Sequence, residues 1–304
     1  MEEETLISVV LPTFNREKLI ARSISSILNQ TYKNFELIVV DDGSTDNTEQ
    51  VVRAIHDPRI IYIKNEHRGG AAARNTGIQA ARGAYIAFQD SDDEWFPSKL
   101  EKQLDVFMSA ANTIGVVYTG FWKLMKDGKK VYFPPENIKQ KEGNLYAELL
   151  WGNFITNQAA MVRKECFERV GGYDESLPGM HEWDLWLRMA TRYEFAYIAE
   201  PLVQTYFTQD SITAHSEWRL QGREIIFGKH REEFKKYPDI FALHTYTIGN
   251  ARALRGDMTQ ARKYLRTALF ARPTHIKYLA AYVLSLLHSK KIYKLFASHG
   301  HHIV

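Results

Sequence analysis

The chain has 304 residues, 45% hydrophobic and 25% charged, which are ordinary proportions for a protein with a buried core. Its single cysteine, Cys166, excludes an internal disulfide and favours a reducing compartment. The acidic start MEEETLISVVLP does not look like a signal peptide, and no run of about eighteen uncharged apolar residues predicts a transmembrane helix. These features predict a cytoplasmic protein.

Charge is unevenly distributed, although the formal net charge is only +3. Residues 215–304 carry 16 Lys and Arg against 6 Asp and Glu, a net of +10, whereas residues 1–214 have a net of −7. We therefore predict two domains, 1–214 and 215–304. The basic domain is expected either to expose a solvated helical face or to contact anionic headgroups on the inner face of a membrane.

The first hundred residues alternate between strand-like and helix-like patterns. Near-continuous apolar strands in a βαβαβαβ order favour an α/β fold, in which helices cover both faces of a mainly parallel sheet. Such sheets bind ligands at the carboxyl ends of their strands, where this sequence has the polar turns PTFN, DDGSTDNT and QDSDDE. The predicted strands are 6–12, 35–40, 59–64 and 84–88, and the predicted helices are 16–30, 48–55 and 69–82.

Later segments are less regular. From about residue 215 only helical patterns occur, and 251–273 resembles one tetratricopeptide unit with its turn at Gly256-Asp257, which we expect to pack as a helical appendage. His299, His301 and His302 have no acidic or Cys neighbours and predict a solvated tail. The other predicted elements are helices at 97–110 and 181–193, strands at 115–121 and 159–163, and a hairpin turn at 126–130.

The segment FQDSDDEW (88–95) concentrates carboxylates directly after a predicted strand. Asp90 and Asp92 would repel each other unless a cation or a ligand hydroxyl joins them, and hard carboxylate oxygens suit Mg²⁺ or Mn²⁺. The alternative is a structural cap for the following helix.

Two further residues face the same predicted edge. Asp42 ends the second strand, and its carboxylate can accept hydrogen bonds from a base imide or from ribose hydroxyls, unless it only forms an Asx turn. Arg74 lies in the first turns of a glycine-led helix, where it can face a diphosphate or hold the acidic loop. An isolated helical Arg is usually solvated, so Arg74 gains meaning only from these neighbours.

Together, VVLPTFNRE, VVDDGSTDNT, GGAAARNTGIQAARGAYIAFQDSDD and GGYDE…HEWDLWLR resemble the family-two glycosyltransferases of the GT-A fold. The resemblance covers about residues 5–210, with the motifs in the family's order and spacing. It implies transfer of a sugar from a nucleotide diphosphate sugar to an acceptor hydroxyl with inversion at the anomeric carbon. It also implies a nucleotide-sugar half at about 1–110 and an acceptor half at about 111–214.

The resemblance implies roles for individual residues. Asp42 would hold the base, most often uracil, Asp90 the ribose, and Asp92 a Mn²⁺ or Mg²⁺ ion on the diphosphate. Asp93 would support the loop, while the metal and Arg74 would offset the charge that grows on the leaving diphosphate. The implied nucleotide-binding set is Pro12, Thr13, Asn15, Arg16, Asp42, Arg74 and Asp90.

An inverting transfer needs a general base, which the family supplies from an acidic pair before the DLWLR helix. Here the pair reads His181-Glu182, so Glu182 is the favoured base, with His181 as an alternative or a tuning group. Asp184 is the third candidate, although its position suits anchoring better. Trp183 and Trp186 could stack on an acceptor sugar or pack in the core.

Two other functions remain open at this point. A nucleotidyltransferase would also use paired carboxylates and a metal, but PTFNRE lacks the usual glycine-rich loop. A non-catalytic relative would bind sugar nucleotides without transferring them. The favoured function is synthesis of a cell-surface glycan such as polysaccharide or lipopolysaccharide, with a UDP-sugar donor, a glycan or lipid-linked acceptor and no nucleic acid.

Overall fold

A computed structural model describes residues 5–206 and 216–297, which contain a sheet of nine strands and helices on its faces. The strands are β1 Ile7–Thr13, β2 Phe35–Asp41, β3 Ile60–Lys64, β4 Tyr85–Phe88, β5 Glu94–Trp95, β6 Ile114–Leu124, β7 Lys130–Phe133, β8 Ala160–Arg163 and β9 Glu194–Tyr206. The helices are α1 Ile20–Leu28, α2 Thr48–Arg53, α3 Gly70–Ala80, α4 Lys99–Ser109, α5 Tyr146–Trp151, α6 Lys164–Val170, α7 His181–Ala190, α8 Ser216–Lys229, α9 Arg231–Lys235, α10 Pro238–Arg255, α11 Met258–Ala271, α12 Ile276–Leu286 and α13 Lys290–Ala297.

The first half of the sheet is parallel, as its apolar strands predict. Strands β3, β2, β1 and β4 are adjacent in that order, and β1 and β2 are buried along their whole length. Helix α1 covers one face with Ile20, Ile24 and Ile27, three apolar side chains at helical spacing. The predicted α/β class is confirmed, and every strand pairing within this half of the sheet is parallel.

The second half of the sheet is mixed and extends in the order β8, β6, β9, β5 from β4. Strand β8 is antiparallel to both of its neighbours, β9 is parallel to β6, and β7 forms the predicted hairpin with β6. Strands β5 and β9 escape prediction. Pro201 interrupts the alternation of β9 and coincides with a shift in register beside Gly120, which disguises the long strand.

The first helix begins later than its apolar pattern predicts, at Ile20 instead of residue 16. The backbone N–H of Arg16 donates to the Thr48 hydroxyl at 2.8 Å, and that of Glu17 donates to Asp46 at 3.1 Å. These bonds draw the segment after β1 towards the turn after β2. The helix therefore starts only where the chain leaves that turn.

Contacts divide the described chain into two compact units, residues 5–176 with 181–206, and residues 177–180 with 216–297. The second unit is helical, and its predicted hairpin is formed by α10 and α11. Gly256 ends α10 in the left-handed conformation, and Asp257 caps α11 by accepting the N–H of Gln260. The predicted boundary at residue 214 and the histidines of the 299–302 tail lie outside the described residues.

Within residues 5–206 and 216–297, no helix has the length and apolar character needed to cross a bilayer.

Helix α3 approaches β1 so closely that a Cβ on Gly77 would lie 2.3 Å from Cγ1 of Val10. Gly77→Ala should therefore destabilise the fold by about 1–3 kcal/mol, since the stiff, buried Val10 cannot yield. Gly228→Ala in α8 is the control: its Cβ would meet nothing within 4 Å. It should be neutral or stabilising by up to about 1 kcal/mol. Urea unfolding measures both, and equal changes would contradict the close approach.

Candidate active site

The polar turns at the carboxyl ends of β1, β2 and β4 lie side by side because these strands are parallel neighbours. The N–H of Asp42 donates to the carbonyl of Thr13 at 2.9 Å, and the N–H of Gln89 donates to that of Val10 at 3.0 Å. The three turns predicted to share one edge therefore do so.

The turn after β1 is fastened to the turn after β2 by Asn15. Its backbone adopts a left-handed conformation with φ of 51°, and its side-chain oxygen accepts the Thr45 N–H at 2.8 Å. Arg16 bonds to Thr48 in the same junction, while Pro12 and Thr13 are buried at the end of β1. The Thr13 hydroxyl oxygen is buried and has no hydrogen-bond partner among the described residues.

Asp42 holds the segment that leads into α3. Its carboxylate is 4% exposed and accepts the backbone N–H groups of Arg68 at 2.9 Å and Gly69 at 2.8 Å. The His67 ring nitrogen Nδ1 lies 2.8 Å from the same carboxylate, and the His67 ring stacks on Phe14 with centroids 4.2 Å apart. Each carboxylate oxygen has a second lone pair, so Asp42 can hold this loop and still accept one more hydrogen bond.

Arg74 and Asp90 form an ion pair in the middle of the edge. Nη2 of Arg74 lies 2.6 Å from Oδ1 of Asp90, and the two side chains are only 12% and 28% exposed. Burial lowers the pKa of Arg74, but the charge and the hydrogen bond of Asp90, together with interactions with Tyr173 and Glu182, outweigh it and raise the pKa above its ordinary value. Arg74 is therefore a permanent cation beside the acidic loop.

The rest of the acidic loop is held by residues from the mixed half of the sheet. Asp93 is buried, and its carboxylate accepts from Gln158 at 2.7 Å and from the N–H of Tyr206 at 2.9 Å. Burial, then the charges of Asp92 and Asp90, raise the pKa of Asp93 well above its usual range. Arg22 donates to the carbonyl of Asp92 at 2.6 Å. Asp93 thus fixes the loop rather than facing solvent.

Carboxylate oxygens are the donors that the acidic loop offers to a cation, and the side chain of Asp92 is half-buried, as are those of Asp90 and Glu94. The described residues contain no group of three or more His, Cys, Asp or Glu side chains that could hold a metal alone. Mg²⁺ and Mn²⁺ are commonly held by one or two carboxylates together with waters and substrate phosphates, so a single aspartate fits such an ion when a diphosphate is bound.

The three candidate bases lie in the first turn of α7. His181 and Glu182 are half-buried, and Nδ2 of Asn153 lies 3.5 Å from Oε1 of Glu182. The Asn153 side-chain oxygen accepts the N–H of Ile155 at 3.1 Å, which directs its amide nitrogen towards Glu182. Because the charge of Glu182 raises the pKa of Arg74, this carboxylate and the carboxyl edge of the sheet are electrostatically coupled.

Asp184 has a different environment. It is fully buried, and Oδ2 lies 2.8 Å from Nε of Arg188. Arg188 also donates to the carbonyls of Val170 at 2.8 Å and Gly172 at 2.7 Å. These bonds secure the loop Gly171-Gly172-Tyr173, here called the GGY loop. This geometry suits an anchor and leaves Asp184 no access to an acceptor.

Both tryptophans of α7 belong to the core. Trp183 and Trp186 are 0% exposed, and their indole N–H groups donate to the carbonyls of Leu149 and Ile155. A fully buried ring cannot stack on an acceptor sugar, so the core alternative is correct.

Several supporting residues were not singled out from the sequence. Asn75 accepts the N–H of Tyr173 at 2.8 Å and donates to its carbonyl at 2.9 Å, which joins α3 to the GGY loop. Its position directly after Arg74, in the motif GGAAARNTG, could have marked Asn75 as part of the site. Gln158, Tyr206 and Asn153 have no local signal, because each acts on a residue far away in the chain.

With this geometry established, comparisons with known proteins assign the chain. The description of the matching family is Glycosyl transferase family 2, and the match spans residues 8–171. The chain belongs to this family. Its GT-A fold and its action as a glycosyltransferase are thereby established, and the nucleotidyltransferase alternative falls away.

Two curated relatives illustrate the family. The chain is 33% identical over 267 residues to WcaA of Escherichia coli (strain K12), named as a colanic acid biosynthesis glycosyl transferase, covering 83% of this chain and 91% of WcaA. It is 44% identical over 120 residues to WfgD of Escherichia coli, named as a UDP-Glc:alpha-D-GlcNAc-diphosphoundecaprenol beta-1,3-glucosyltransferase, covering 39% of this chain and 47% of WfgD.

Two solved structures share the fold. Staphylococcus aureus TarS 1-349 in complex with UDP-GlcNAc has a TM-score of 0.71 at 17% identity, over 95% of this chain and 89% of TarS 1-349. The mannosyltransferase PcManGT of Pyrobaculum calidifontis, in complex with GDP-Man and Mn²⁺, has a TM-score of 0.61 at 22% identity, over 96% and 83% of the two chains.

Removal of the Asp184 carboxylate should leave Arg188 without its charge partner inside the protein. We expect Asp184→Ala to lower the free energy of unfolding by about 3 kcal/mol. Glu182→Gln, a change at a half-buried carboxylate of the same helix, should alter it by less than about 0.5 kcal/mol. Denaturant titration of both variants measures the difference, and a stable Asp184→Ala protein would argue against the anchor.

Proposed function

We propose that this family-2 enzyme is a metal-dependent inverting glycosyltransferase that transfers a sugar from a UDP-sugar to a hydroxyl of a glycan or lipid-linked acceptor. The observation that carries the proposal is the Arg74–Asp90 pair, held at 2.6 Å at the edge of the sheet where the turns with Asp42 and Asp92 also lie. A buried cation beside several carboxylates suits a ligand that brings both hydroxyl groups and a diphosphate.

The donor is bound by the turns of the parallel half. Pro12 and Thr13 line the nucleotide pocket, with Asn15 and Arg16 shaping it through their bonds to the turn after β2. Asp42 accepts the base imide N–H with the lone pair that the Arg68 and Gly69 amides leave unused. Asp90 accepts from a ribose hydroxyl with the carboxylate oxygen that Arg74 does not engage.

The metal would be Mn²⁺ or Mg²⁺, and Asp92 would hold it together with the donor diphosphate. When bound, it neutralises part of the charge that develops on the leaving group. Arg74 contributes a second, permanent positive charge at the same place. The relative PcManGT was solved with Mn²⁺, which supports this assignment.

The acceptor is activated by Glu182. As the acceptor oxygen forms its bond to the anomeric carbon from the face opposite the diphosphate, its proton passes to the Glu182 carboxylate. The bond between the anomeric carbon and the diphosphate oxygen breaks, and the nucleoside diphosphate leaves with that electron pair. Asn153 orients the carboxylate, His181 tunes it as its neighbour, and Asp184 remains an anchor.

Relatives support the choice of substrates. WfgD is named for a UDP-Glc donor and a diphosphoundecaprenol acceptor, TarS 1-349 was solved with UDP-GlcNAc, and WcaA is named for colanic acid biosynthesis. These names favour uracil as the base and a lipid-linked intermediate of a cell-surface polysaccharide as the acceptor. The enzyme would then work at the inner face of the membrane, with its basic helical domain nearby.

Glu182→Gln should reduce kcat by about 10²- to 10⁴-fold, because the amide cannot take the acceptor proton. Glu182→Asp should retain part of the activity, and His181→Ala should lose less than Glu182→Gln. Donor binding, measured with UDP by calorimetry, should be unchanged in all three. Wild-type turnover by Glu182→Gln would exclude Glu182 as the base, and an inactive wild type that still binds UDP would indicate a non-catalytic relative.

A thermal-shift panel of UDP, GDP, dTDP and CMP, with and without Mn²⁺, tests the donor class. UDP with Mn²⁺ should give the largest shift, since a ligand at about 100 times its Kd stabilises the folded state by about 2.7 kcal/mol. Asp92→Asn should remove the Mn²⁺-dependent part, whereas the exposed helical control Asp105→Asn should retain it. A larger shift with GDP would exclude the UDP assignment.

A further inference from the structure

Helix α12 is apolar on the side that packs into the helical unit and also on the side that faces solvent. Tyr278 and Ala281 are buried against the other helices of the unit. Surface helices normally carry polar residues on their outer side, so a solvent-facing apolar side needs a partner. The outer side, here called the α12 face, consists of Ile276, Leu279, Ala280, Val283, Leu286 and the adjoining Leu287.

The α12 face is continuous. Its residues follow one another at intervals of three, four or one, which places them on one stripe of a helix about 16 Å long. Every exposed position of α12 belongs to it. Ile276 is 81% exposed, Leu287 55%, Val283 49% and Leu279 46%. Scattered exposed leucines are common in soluble proteins, but an uninterrupted stripe is not.

The stretch of sequence that contains the α12 face is positively charged. After Asp257 the sequence contains eight Lys and Arg residues and no Asp or Glu. Lys290, Lys291 and Lys294 are exposed on α13, which begins three residues after Leu287. Arg272 pairs with Asp239 of α10, but the α13 lysines have no acidic neighbour in their own part of the sequence.

We propose that the α12 face docks on an anionic phospholipid bilayer. An apolar stripe bordered by lysines matches the boundary between acyl chains and negatively charged headgroups. A length of about 16 Å is too short to cross a hydrocarbon core of about 30 Å, so α12 lies in the interface plane. Docking would also bring the enzyme to a lipid-linked acceptor, and this argument alone rests on the proposed function. The arguments from apolar surface, charge and helix length do not depend on it.

A second copy of the chain is a less suitable occupant of the α12 face. A two-fold contact would use the same surface on both copies, so it would join two segments that each carry eight Lys and Arg residues and therefore repel each other. The stretch after Asp257 has no carboxylate to offset that repulsion. Anionic lipid supplies the missing negative charge.

Vesicle co-sedimentation of the full chain tests the proposal, with phosphatidylcholine vesicles and with vesicles that also contain phosphatidylglycerol. The wild type should pellet with the anionic vesicles at low salt and much less with the neutral ones. The double variant Leu279→Ser/Val283→Ser should bind about tenfold or more weakly. The triple variant Lys290→Gln/Lys291→Gln/Lys294→Gln should bind about 100-fold more weakly, at about fivefold per lysine.

Two controls change equivalent residues elsewhere. Met108→Ser/Val131→Ser removes exposed apolar side chains of α4 and β7, and Lys126→Gln/Lys129→Gln/Lys130→Gln alters the net charge equally at the β6–β7 hairpin. Both controls should pellet like the wild type. All variants should melt at the wild-type temperature, and the triple variant keeps the test decisive if the serine variant misfolds.

Failure of the docking and failure of the proposed function are distinguishable, because vesicle binding needs neither donor nor acceptor. A wild type that transfers sugar but does not pellet with anionic vesicles would overturn the docking. So would pelleting that survives both α12 and α13 substitutions, or a dimer in sedimentation velocity that Leu279→Ser/Val283→Ser dissociates without any vesicle binding. Vesicle binding by a protein without transferase activity would sustain the docking and refute the catalytic proposal.

Discussion

The ion pair between Arg74 and Asp90 is the interaction on which the rest of the site depends. Three of the four residues at positions 90–93, shortly after β4, are aspartates. Their mutual repulsion must be balanced before any substrate arrives. Arg74 can balance it because α3 packs directly on β1, where Gly77 allows the helix backbone to approach Val10. One turn before that contact, the guanidinium reaches Asp90 at 2.6 Å. A packing constraint therefore determines the charge distribution of the site.

The acidic loop is also held by the mixed half of the sheet. Asp93 accepts hydrogen bonds from Gln158 and from Tyr206, which are 65 and 113 positions away in the sequence. Gln158 lies just before β8, and Tyr206 ends β9, the partner strand of β5, which begins directly after Asp93. Since a buried carboxylate is expensive unless hydrogen-bonded, these two bonds keep the loop in one conformation. The acidic turn thus relies on elements that are far from it in the sequence.

The part of the site beside α7 is likewise built from segments that are far apart in the sequence. Arg188 joins Asp184 to the carbonyls of the GGY loop, and Asn75 joins that loop to α3 directly beside Arg74. Helix α7 therefore has a rigid base below a half-buried Glu182, whose charge acts on Arg74. The helical unit adds the exposed α12 face, which takes no part in the proposed transfer of the sugar. A role in placing the enzyme at a membrane therefore suits this face.

The sequence alone determined those features whose cause lies within a few residues. Buried runs predict β1 to β4, Gly256-Asp257 predicts the turn between α10 and α11, and the DDGS and QDSDD turns predict an acidic carboxyl edge, because these patterns reflect local hydrogen bonding and hydrophobic period. Only the tertiary structure decided which polar groups meet. In the folded chain β9 continues through Pro201, and Asp93 pairs with Gln158. Trp183 and Trp186 are buried, and the outer side of α12 is exposed. The physical reason is that burial and pairing across the sheet depend on packing between segments far apart in the chain, which no local pattern encodes.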